Sequence, residues 1–185
     1  MRSSLTLTLL FLLTCSFAVA APSIVPAPPS LAAKAWLLID HNSGRVLVEH
    51  NSQQPVEPAS LTKMMTTYVV LYAMRDGSIS AEDKVRISEK AWRMKGSRMF
   101  IEVNSHVSVD ELLKGMIIQS GNDASVALAE HVAGSEAAFV ELMNQHARNL
   151  DMTGTNITKS TGWPDPDHYT TPHDLAILSR AKKRE

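Results

Sequence analysis

Cysteine is almost absent from this 185-residue chain, whose single thiol, Cys15, lies near the N-terminus. Residues 1–20 have the features of a secretory signal peptide, because Arg2 provides a positive charge and an apolar run follows from Leu5 to Val19. Cleavage at the small-residue site after Ala20 would remove the thiol, which excludes disulfides, cysteine nucleophiles and zinc–thiolate sites from the mature chain. We therefore expect an exported protein of the periplasm or cell envelope.

Strong charge of either sign is also absent, because the formal net charge is −1 and basic residues gather only at residues 182–184. Nucleic acid is therefore not an expected partner. The apolar run of residues 5–19 is short for a membrane span, and we expect no membrane anchor in this chain. A lipoprotein signal ending at Cys15 is the alternative for this segment, although Thr14 fits poorly before the cysteine.

The folded part of the chain is expected to begin after a proline-rich leader. Residues 21–32 include four prolines, which favour an extended conformation. Residues 33–185 have the length of a single domain. Their first two apolar runs, at residues 35–40 and 45–50, predict a β-hairpin with a turn that contains Gly44.

Helical spacing of apolar residues dominates the rest of the chain. The predicted helices are residues 60–76, 109–118, 123–133, 136–150 and 172 onward, and residues 84–87 form a weak strand. Ser108 and Glu111 form a capping box, and Gly134 is a typical C-terminal cap. The helix that begins at Ser60 is apolar nearly all round, which predicts a buried central helix. This order of elements agrees with an α+β fold, in which a helical subdomain lies beside an antiparallel sheet.

Ser60 and Lys63 lie three residues apart at the start of that helix, so that one helix face presents both side chains. A hydroxyl and an amine that share a proton are the minimum for a serine nucleophile with a lysine base. A helix N-terminus also favours developing negative charge. Ser179 and Lys182 have the same spacing but lie late in a helical pattern. For Ser60 considered alone, an ordinary N-cap is the simpler interpretation.

A second polar element, Ser120-Gly121-Asn122, separates two predicted helices and by itself is only a turn signal. Together with the Ser60 element it resembles the penicillin-recognising serine acyltransferases, in particular the low-molecular-mass D-alanyl-D-alanine carboxypeptidases of peptidase family S11. The resemblance extends over about residues 33–180. The stretches that carry it are AWLLID (35–40), SGRVL (43–47), PASLTKMMT (58–66), GSRMF (96–100), QSGNDA (119–124) and TGWP (161–164).

The resemblance implies a β-lactamase/DD-peptidase-like fold and a hydrolase that works without metal or cofactor. Such an enzyme removes the terminal D-alanine from peptidoglycan pentapeptides through an acyl-enzyme, takes part in cell-wall organisation and cell shape, and is inhibited by β-lactams. The resemblance assigns the nucleophile to Ser60 and the general base to Lys63. It also implies that Ser120 relays the proton to the departing amine and that Asn122 holds Lys63 and the substrate amide.

The third element of this family, a Lys-Thr-Gly strand downstream of the Ser-x-Asn loop, does not occur in the 185 residues. Residues 159–162, Lys-Ser-Thr-Gly, contain an extra residue and lie too early. We therefore expect residues 33–185 to be the N-terminal part of the catalytic domain, truncated before the later sheet strands, the substrate-carboxylate site and half of the oxyanion hole. The alternative function is an inactive fragment or a remnant that binds cell-wall peptide.

Two other kinds of site have weaker signals. Asp165, Asp167, His168 and His173 form the best metal-like cluster, but they lie in a proline-rich loop for which a solvated surface is the simpler interpretation. A class A β-lactamase would need a glutamate-bearing loop to activate water; Glu141 lies in a helical pattern and is interpreted as a surface charge. No Gly-x-Ser-x-Gly elbow occurs, which disfavours a Ser-His-Asp hydrolase.

Overall fold

The structure, a computed structural model, describes residues 27–183. The expected signal peptide, residues 1–20, and the first part of the leader lie outside the described residues, and their boundaries stay predictions. All described helices and strands lie within the unit that begins at Ala32. None of these helices is both long enough and apolar enough to cross a membrane.

Four short strands form two small antiparallel sheets in the described part of the chain. Strand β1 (Trp36–Ile39) pairs with β2 (Val46–His50), which confirms the predicted hairpin. Strand β3 (Lys84–Arg86) pairs with β4 (His106–Ser108), and only β3 was predicted. Val107 is the one apolar residue of β4, and the helical pattern that begins at Val109 obscured any alternation there.

Six α-helices make up most of the described chain. They are α1 (Lys63–Arg75), α2 (Glu89–Trp92), α3 (Val109–Gln119), α4 (Asn122–Ala133), α5 (Glu136–Asn149) and α6 (Pro172–Lys183). The predicted caps are confirmed, because Ser108 and Glu111 form a capping box at α3 and Gly134 ends α4 with a φ of +76°. Ser135 caps α5 by accepting a hydrogen bond from the Ala138 N–H.

Helix α1 is the centre of the fold, as its uniformly apolar sequence predicted. It packs against α3, α4, α5 and α6, and eight of its 13 residues are buried. Large buried side chains of the other helices complete the core around it, namely Leu112, Met116, Leu128, Phe139, Met143 and Leu178. Burying each such side chain contributes about 1.5–3 kcal/mol. This packing holds the N-terminal end of α1, where Lys63 lies, in a fixed position.

Candidate active site

The turn that carries Ser60 is a 3₁₀-helix, Ala59–Thr62, and α1 begins only at Lys63. Sequence reasoning expected Ser60 to open the α-helix itself. The difference arises because Ala59 adopts a left-handed φ of +46°, so the chain enters α1 through a tighter turn. Ser60 is exposed on this turn, where its hydroxyl is accessible for reaction. Lys63, three residues later, is buried.

The Lys63 amine is surrounded by three oxygen atoms. It donates hydrogen bonds to Asn122 Oδ1 at 2.8 Å and to the Thr161 carbonyl at 3.0 Å, and it lies 3.4 Å from Ser60 Oγ. None of these partners carries a negative charge that would stabilise an ammonium. Burial therefore lowers the pKa of Lys63 from 10.5 to about 8. An amine with this pKa is neutral in about a tenth of the molecules at pH 7, and it can accept the proton of Ser60.

Ser120 shares a cavity with Ser60 and Lys63, and Asn122 contacts Lys63, although both lie in a different segment. Ser120 ends α3 with a left-handed φ of 55°, and it lines a cavity of about 170 Å³ together with Ser60 and Lys63. Asn122 is the first residue of α4 rather than part of the preceding loop. Its Nδ2 donates to the Lys95 carbonyl at 2.7 Å, which leaves Oδ1 directed at Lys63. The structure thus brings together all four side chains that the sequence singled out.

The loop of residues 159–163 completes the surroundings of Lys63, and sequence reasoning missed its contribution. The Thr161 carbonyl accepts a hydrogen bond from Lys63. Gly162, with a φ of +76°, approaches the Ser60 turn so closely that a Cβ would lie 1.8 Å from the Ala59 carbonyl oxygen. Only glycine fits at this position. The glycine was visible in the TGWP stretch, but its contact with Ala59 joins segments 103 residues apart and leaves no local signal.

A buried carboxylate anchors this loop from behind. Oε1 of Glu136 accepts hydrogen bonds from the Ser160 N–H at 3.1 Å and from the Ser160 hydroxyl at 2.8 Å, while Lys90 lies 2.7 Å from Oε2. Burial by itself raises the pKa of Glu136, but the hydrogen bonds from Lys90 and Ser160 outweigh burial and hold the pKa below its usual value. The Ser160 carbonyl in turn accepts hydrogen bonds from Thr66 and Ser125.

Asp123 fixes the other wall of the site and was also missed as an anchor. Its buried carboxylate accepts hydrogen bonds from the backbone N–H groups of Met99, Phe100 and Ile101 at 3.0, 2.9 and 3.3 Å. It also accepts one from the Ala124 N–H at 2.9 Å. These bonds hold residues 97–101 against the start of α4, where the Ser97 carbonyl accepts the N–H of the neighbouring Asn122 at 2.7 Å.

The residues of the metal-like cluster have other contacts. His168 is buried and hydrogen-bonded to Thr62. Asp165 lies 3.8 Å from Lys159, and His173 lies beside Asp174. Within residues 27–183, no three histidine, cysteine, aspartate or glutamate side chains gather as metal ligands would.

Glu141 and Ser179, which the sequence offered as weaker candidates, both lie on helices. Glu141 is exposed on α5, which confirms that it is a surface charge. Ser179 lies in α6 and donates its hydroxyl to the Leu175 carbonyl at 2.8 Å, a bond within the helix. Ser179 is exposed, as Ser60 is, but its hydroxyl is occupied by the backbone of its own helix.

Comparison with known proteins agrees with this arrangement. The sequence profile of the family described as D-alanyl-D-alanine carboxypeptidase, peptidase family S11, matches residues 22–185. The chain is 45% identical over 154 residues to D-alanyl-D-alanine carboxypeptidase DacA of Haemophilus influenzae, with 82% of this chain and 39% of that protein covered. It is 44% identical over 170 residues to DacC of Escherichia coli, with 89% of this chain and 42% of that protein covered.

Solved structures are similar to the same extent. Penicillin binding protein 5 of Haemophilus influenzae superposes with a TM-score of 0.84 and 43% identity over 86% of this chain and 47% of that one. Penicillin binding protein 6B of Escherichia coli gives a TM-score of 0.83 and 39% identity over 88% of this chain and 53% of that one. The chain spans about two fifths of the length of the two curated relatives.

Proposed function

We propose, because this chain belongs to the D-alanyl-D-alanine carboxypeptidase family, peptidase family S11, that it carries the acylation machinery of a serine carboxypeptidase. The substrate is the terminal D-alanyl-D-alanine of a peptidoglycan stem peptide. The observation that carries the proposal is the position of Lys63. Its buried amine, with a pKa of about 8, lies 3.4 Å from the exposed Ser60 hydroxyl.

Acylation begins with the neutral form of Lys63. This amine takes the proton of Ser60 as Oγ attacks the carbonyl carbon between the two D-alanines. The Ser60 N–H donates a hydrogen bond to the developing oxyanion. The proton passes through the Ser120 hydroxyl to the nitrogen of the departing D-alanine, the C–N bond breaks, and Ser60 is left as an ester. Asn122 keeps Lys63 in place and binds the amide of the peptide.

Deacylation returns the enzyme to its starting state. Water attacks the ester carbonyl and loses its proton to Lys63, and the shortened peptide leaves as Ser60 recovers its hydrogen. A β-lactam would enter the same sequence, because its strained amide is attacked as the peptide bond is. The ring keeps the leaving amine attached to the acyl group, so the ester would persist. We therefore propose β-lactams as ligands of the same site.

A labelling experiment tests this proposal. Since the chain spans about two fifths of its relatives, it is measured beside a completed protein, in which the part of H. influenzae DacA beyond the matched region follows the chain. Fluorescent penicillin should label the completed protein on the peptide that contains Ser60, and Ser60→Ala should abolish the label. Ser179→Ala, the matched control with the same Ser-x-x-Lys spacing, should label normally. Label that persists in Ser60→Ala would contradict the proposal.

The alternative, a non-catalytic peptide-binding fragment, makes a different prediction for the same proteins. It is favoured if the completed protein binds a D-alanyl-D-alanine peptide but releases no D-alanine and takes no label. Release of D-alanine that depends on Lys63 supports the carboxypeptidase instead.

We also propose export to the periplasm or cell envelope. This rests on the charged and apolar pattern of residues 1–20 alone. N-terminal sequencing of the protein recovered from the periplasm should begin at Ala21. Retention of Met1, or a lipid-modified Cys15, would contradict cleavage after Ala20.

A further inference from the structure

A cleft of about 470 Å³ adjoins the catalytic cluster, and its lining is basic. Lys90, Arg93 and Lys95 line it from α2 and the segment that follows, and Lys159 lines it from the loop before α6. Met94, Thr161 and Trp163 provide the remainder of the wall, together with Glu136. Four cations therefore face the cleft, against one carboxylate.

The segments that line this cleft also hold the catalytic side chains. The Lys95 carbonyl accepts a hydrogen bond from Asn122 Nδ2 at 2.7 Å, and the Thr161 carbonyl accepts one from Lys63 at 3.0 Å. The Trp163 ring packs against Gly96, since a Cβ at Gly96 would lie 3.1 Å from the ring and 3.0 Å from Asn122 Nδ2. A group bound in the cleft therefore lies next to a peptide whose amide is held by Asn122.

The negative charge of the one carboxylate in the lining is already balanced by an ion pair. Oε2 of Glu136 is paired with Lys90, and Oε1 accepts both hydrogen bonds from Ser160. Because its oxygens are engaged and its pKa is lowered, Glu136 stays charged but balances only Lys90. It does not compensate the other three cations.

Of those three cations, Arg93 and Lys159 have partners outside the lining of the cleft. Arg93 pairs with Glu89 one helical turn away, but both side chains are exposed, and such pairs contribute little. Lys159 lies 3.8 Å from Asp165, at the outer limit of an ion pair. Within residues 27–183 the structure shows no side-chain partner for Lys95. Positive charge along an apolar wall focuses the field into the cleft.

Resting on the proposed function, we propose that this cleft binds carboxylate groups of the stem peptide on the acyl side of the scissile bond. The enzyme then selects acidic peptides over their amidated forms, with Lys95 and Lys159 as specificity-determining residues. The recognition is electrostatic, because lysine ammonium groups act as point charges without a fixed geometry. It therefore depends on the number of peptide carboxylates more than on their exact spacing.

Direct binding to the full 185-residue chain tests the inference. In a Trp36→Phe, Trp92→Phe background, Trp163 remains as a fluorescent reporter inside the cleft. The probes are N-acetyl-Glu-Glu-D-Ala-D-Ala and its isosteric amide, N-acetyl-Gln-Gln-D-Ala-D-Ala. The acidic peptide should bind about fivefold more tightly at low salt. This preference should fall to near unity at about 0.5 M NaCl, where the Debye length is a few ångströms.

Charge variants distinguish binding of the peptide in the cleft from a general electrostatic attraction of the peptide to the protein. Lys95→Glu and Lys159→Glu should each abolish the preference, chiefly by weakening the binding of the acidic peptide. Lys114→Glu is the matched control, because Lys114 is an exposed lysine of α3 outside the cleft, and it should keep the preference. Thermal unfolding of each variant checks that the fold is retained.

Three results would overturn the inference: no binding of the acidic peptide, equal affinity for the two peptides, or a preference that survives both charge reversals. Labelling of Ser60 by fluorescent penicillin, measured on the completed protein, is an independent readout. Labelling without charge preference would refute the cleft and leave the carboxypeptidase proposal in place. Charge preference without labelling would support the cleft and refute the proposed chemistry.

Discussion

His168 and Thr62 share a buried hydrogen bond at the Ser60 turn, with 2.8 Å between Nε2 and Oγ1. The Thr158 N–H donates to His168 Nδ1 at 3.2 Å, so the imidazole carries its proton on Nε2 and donates to Thr62. Burial lowers the pKa of His168. The negative charge of Asp165 opposes this shift, and the positive charge of Lys159 adds to it. A neutral histidine thus ties the Ser60 turn to the loop before α6.

Replacement of His168 should loosen that turn. His168→Phe leaves the Thr158 N–H and the Thr62 hydroxyl without this partner, and we expect a loss of about 1–3 kcal/mol in the free energy of unfolding. The rate of Ser60 labelling in the completed protein should fall with it. His168→Gln, whose amide can both accept and donate, should recover part of both quantities. Equal behaviour of the Phe and Gln variants would contradict a hydrogen-bonding role.

The same histidine predicts a pH dependence of stability. Because its pKa is lower in the folded chain than in the unfolded chain, the unfolded chain takes up the proton first as pH falls below about 6.5. The stability associated with neutral His168 is therefore fully present above that pH and is lost as pH falls toward the folded-state pKa. Urea unfolding between pH 7 and 5 should show this loss in the wild type and a smaller one in His168→Gln. Parallel curves for the two proteins would rule it out.

We expect Gly162 to tolerate no side chain, because a Cβ there would clash. A second glycine, Gly134, serves as the control for the cost of the backbone conformation alone. Gly162 and Gly134 have the same φ of +76°, but a Cβ at Gly134 would meet no atom within 4 Å, whereas one at Gly162 would overlap the Ala59 carbonyl. Gly134→Ala should cost only the left-handed conformation, about 1–2 kcal/mol. Gly162→Ala should cost clearly more and slow Ser60 labelling. Equal losses in urea unfolding would show that the loop moves away freely.

Lys63 should give acylation a characteristic pH profile. Since the proposed mechanism uses the neutral amine and the pKa of Lys63 is about 8, the labelling rate should rise about tenfold per pH unit below 8 and level off above it. Fluorescent penicillin applied to the completed protein at pH 6 to 9 measures this profile. Lys63→Arg, which cannot supply a neutral amine, should lose nearly all labelling while its circular dichroism stays unchanged. A flat profile would contradict lysine as the base.

Asp123→Asn tests the anchor of the opposite wall. An amide provides one accepting oxygen where the carboxylate serves four backbone N–H groups, so we expect a loss of about 1.5–3 kcal/mol in unfolding free energy. Asp110→Asn, an exposed change on α3, should cost less than about 1 kcal/mol. Hydrogen exchange at residues 99–101 should accelerate only in the Asp123 variant. Unchanged exchange there would mean that other contacts hold the loop.

The elements that depend on neighbouring residues were predictable. The hairpin, the capping box of Ser108 and Glu111, and the end of α4 at Gly134 each need only a few consecutive side chains, and all are confirmed. The boundaries at Ser60 and Asn122 were displaced. In both cases backbone geometry outside the helix pattern decided where the helix begins, through the left-handed Ala59 and through the hydrogen bond from the Asn122 N–H to Ser97.

The spacing of Ser60 and Lys63 was readable from the chain alone, because residues three apart lie on the same side of an α-helix and of a 3₁₀ turn. Whether the amine can act on the hydroxyl depends on the folded surroundings of Lys63. The contacts of Lys63 with Asn122 and Thr161 join residues 59 and 98 positions apart, and the burial that lowers its pKa comes from helices packed around α1. Desolvation is a property of the assembled core, and no local pattern encodes it.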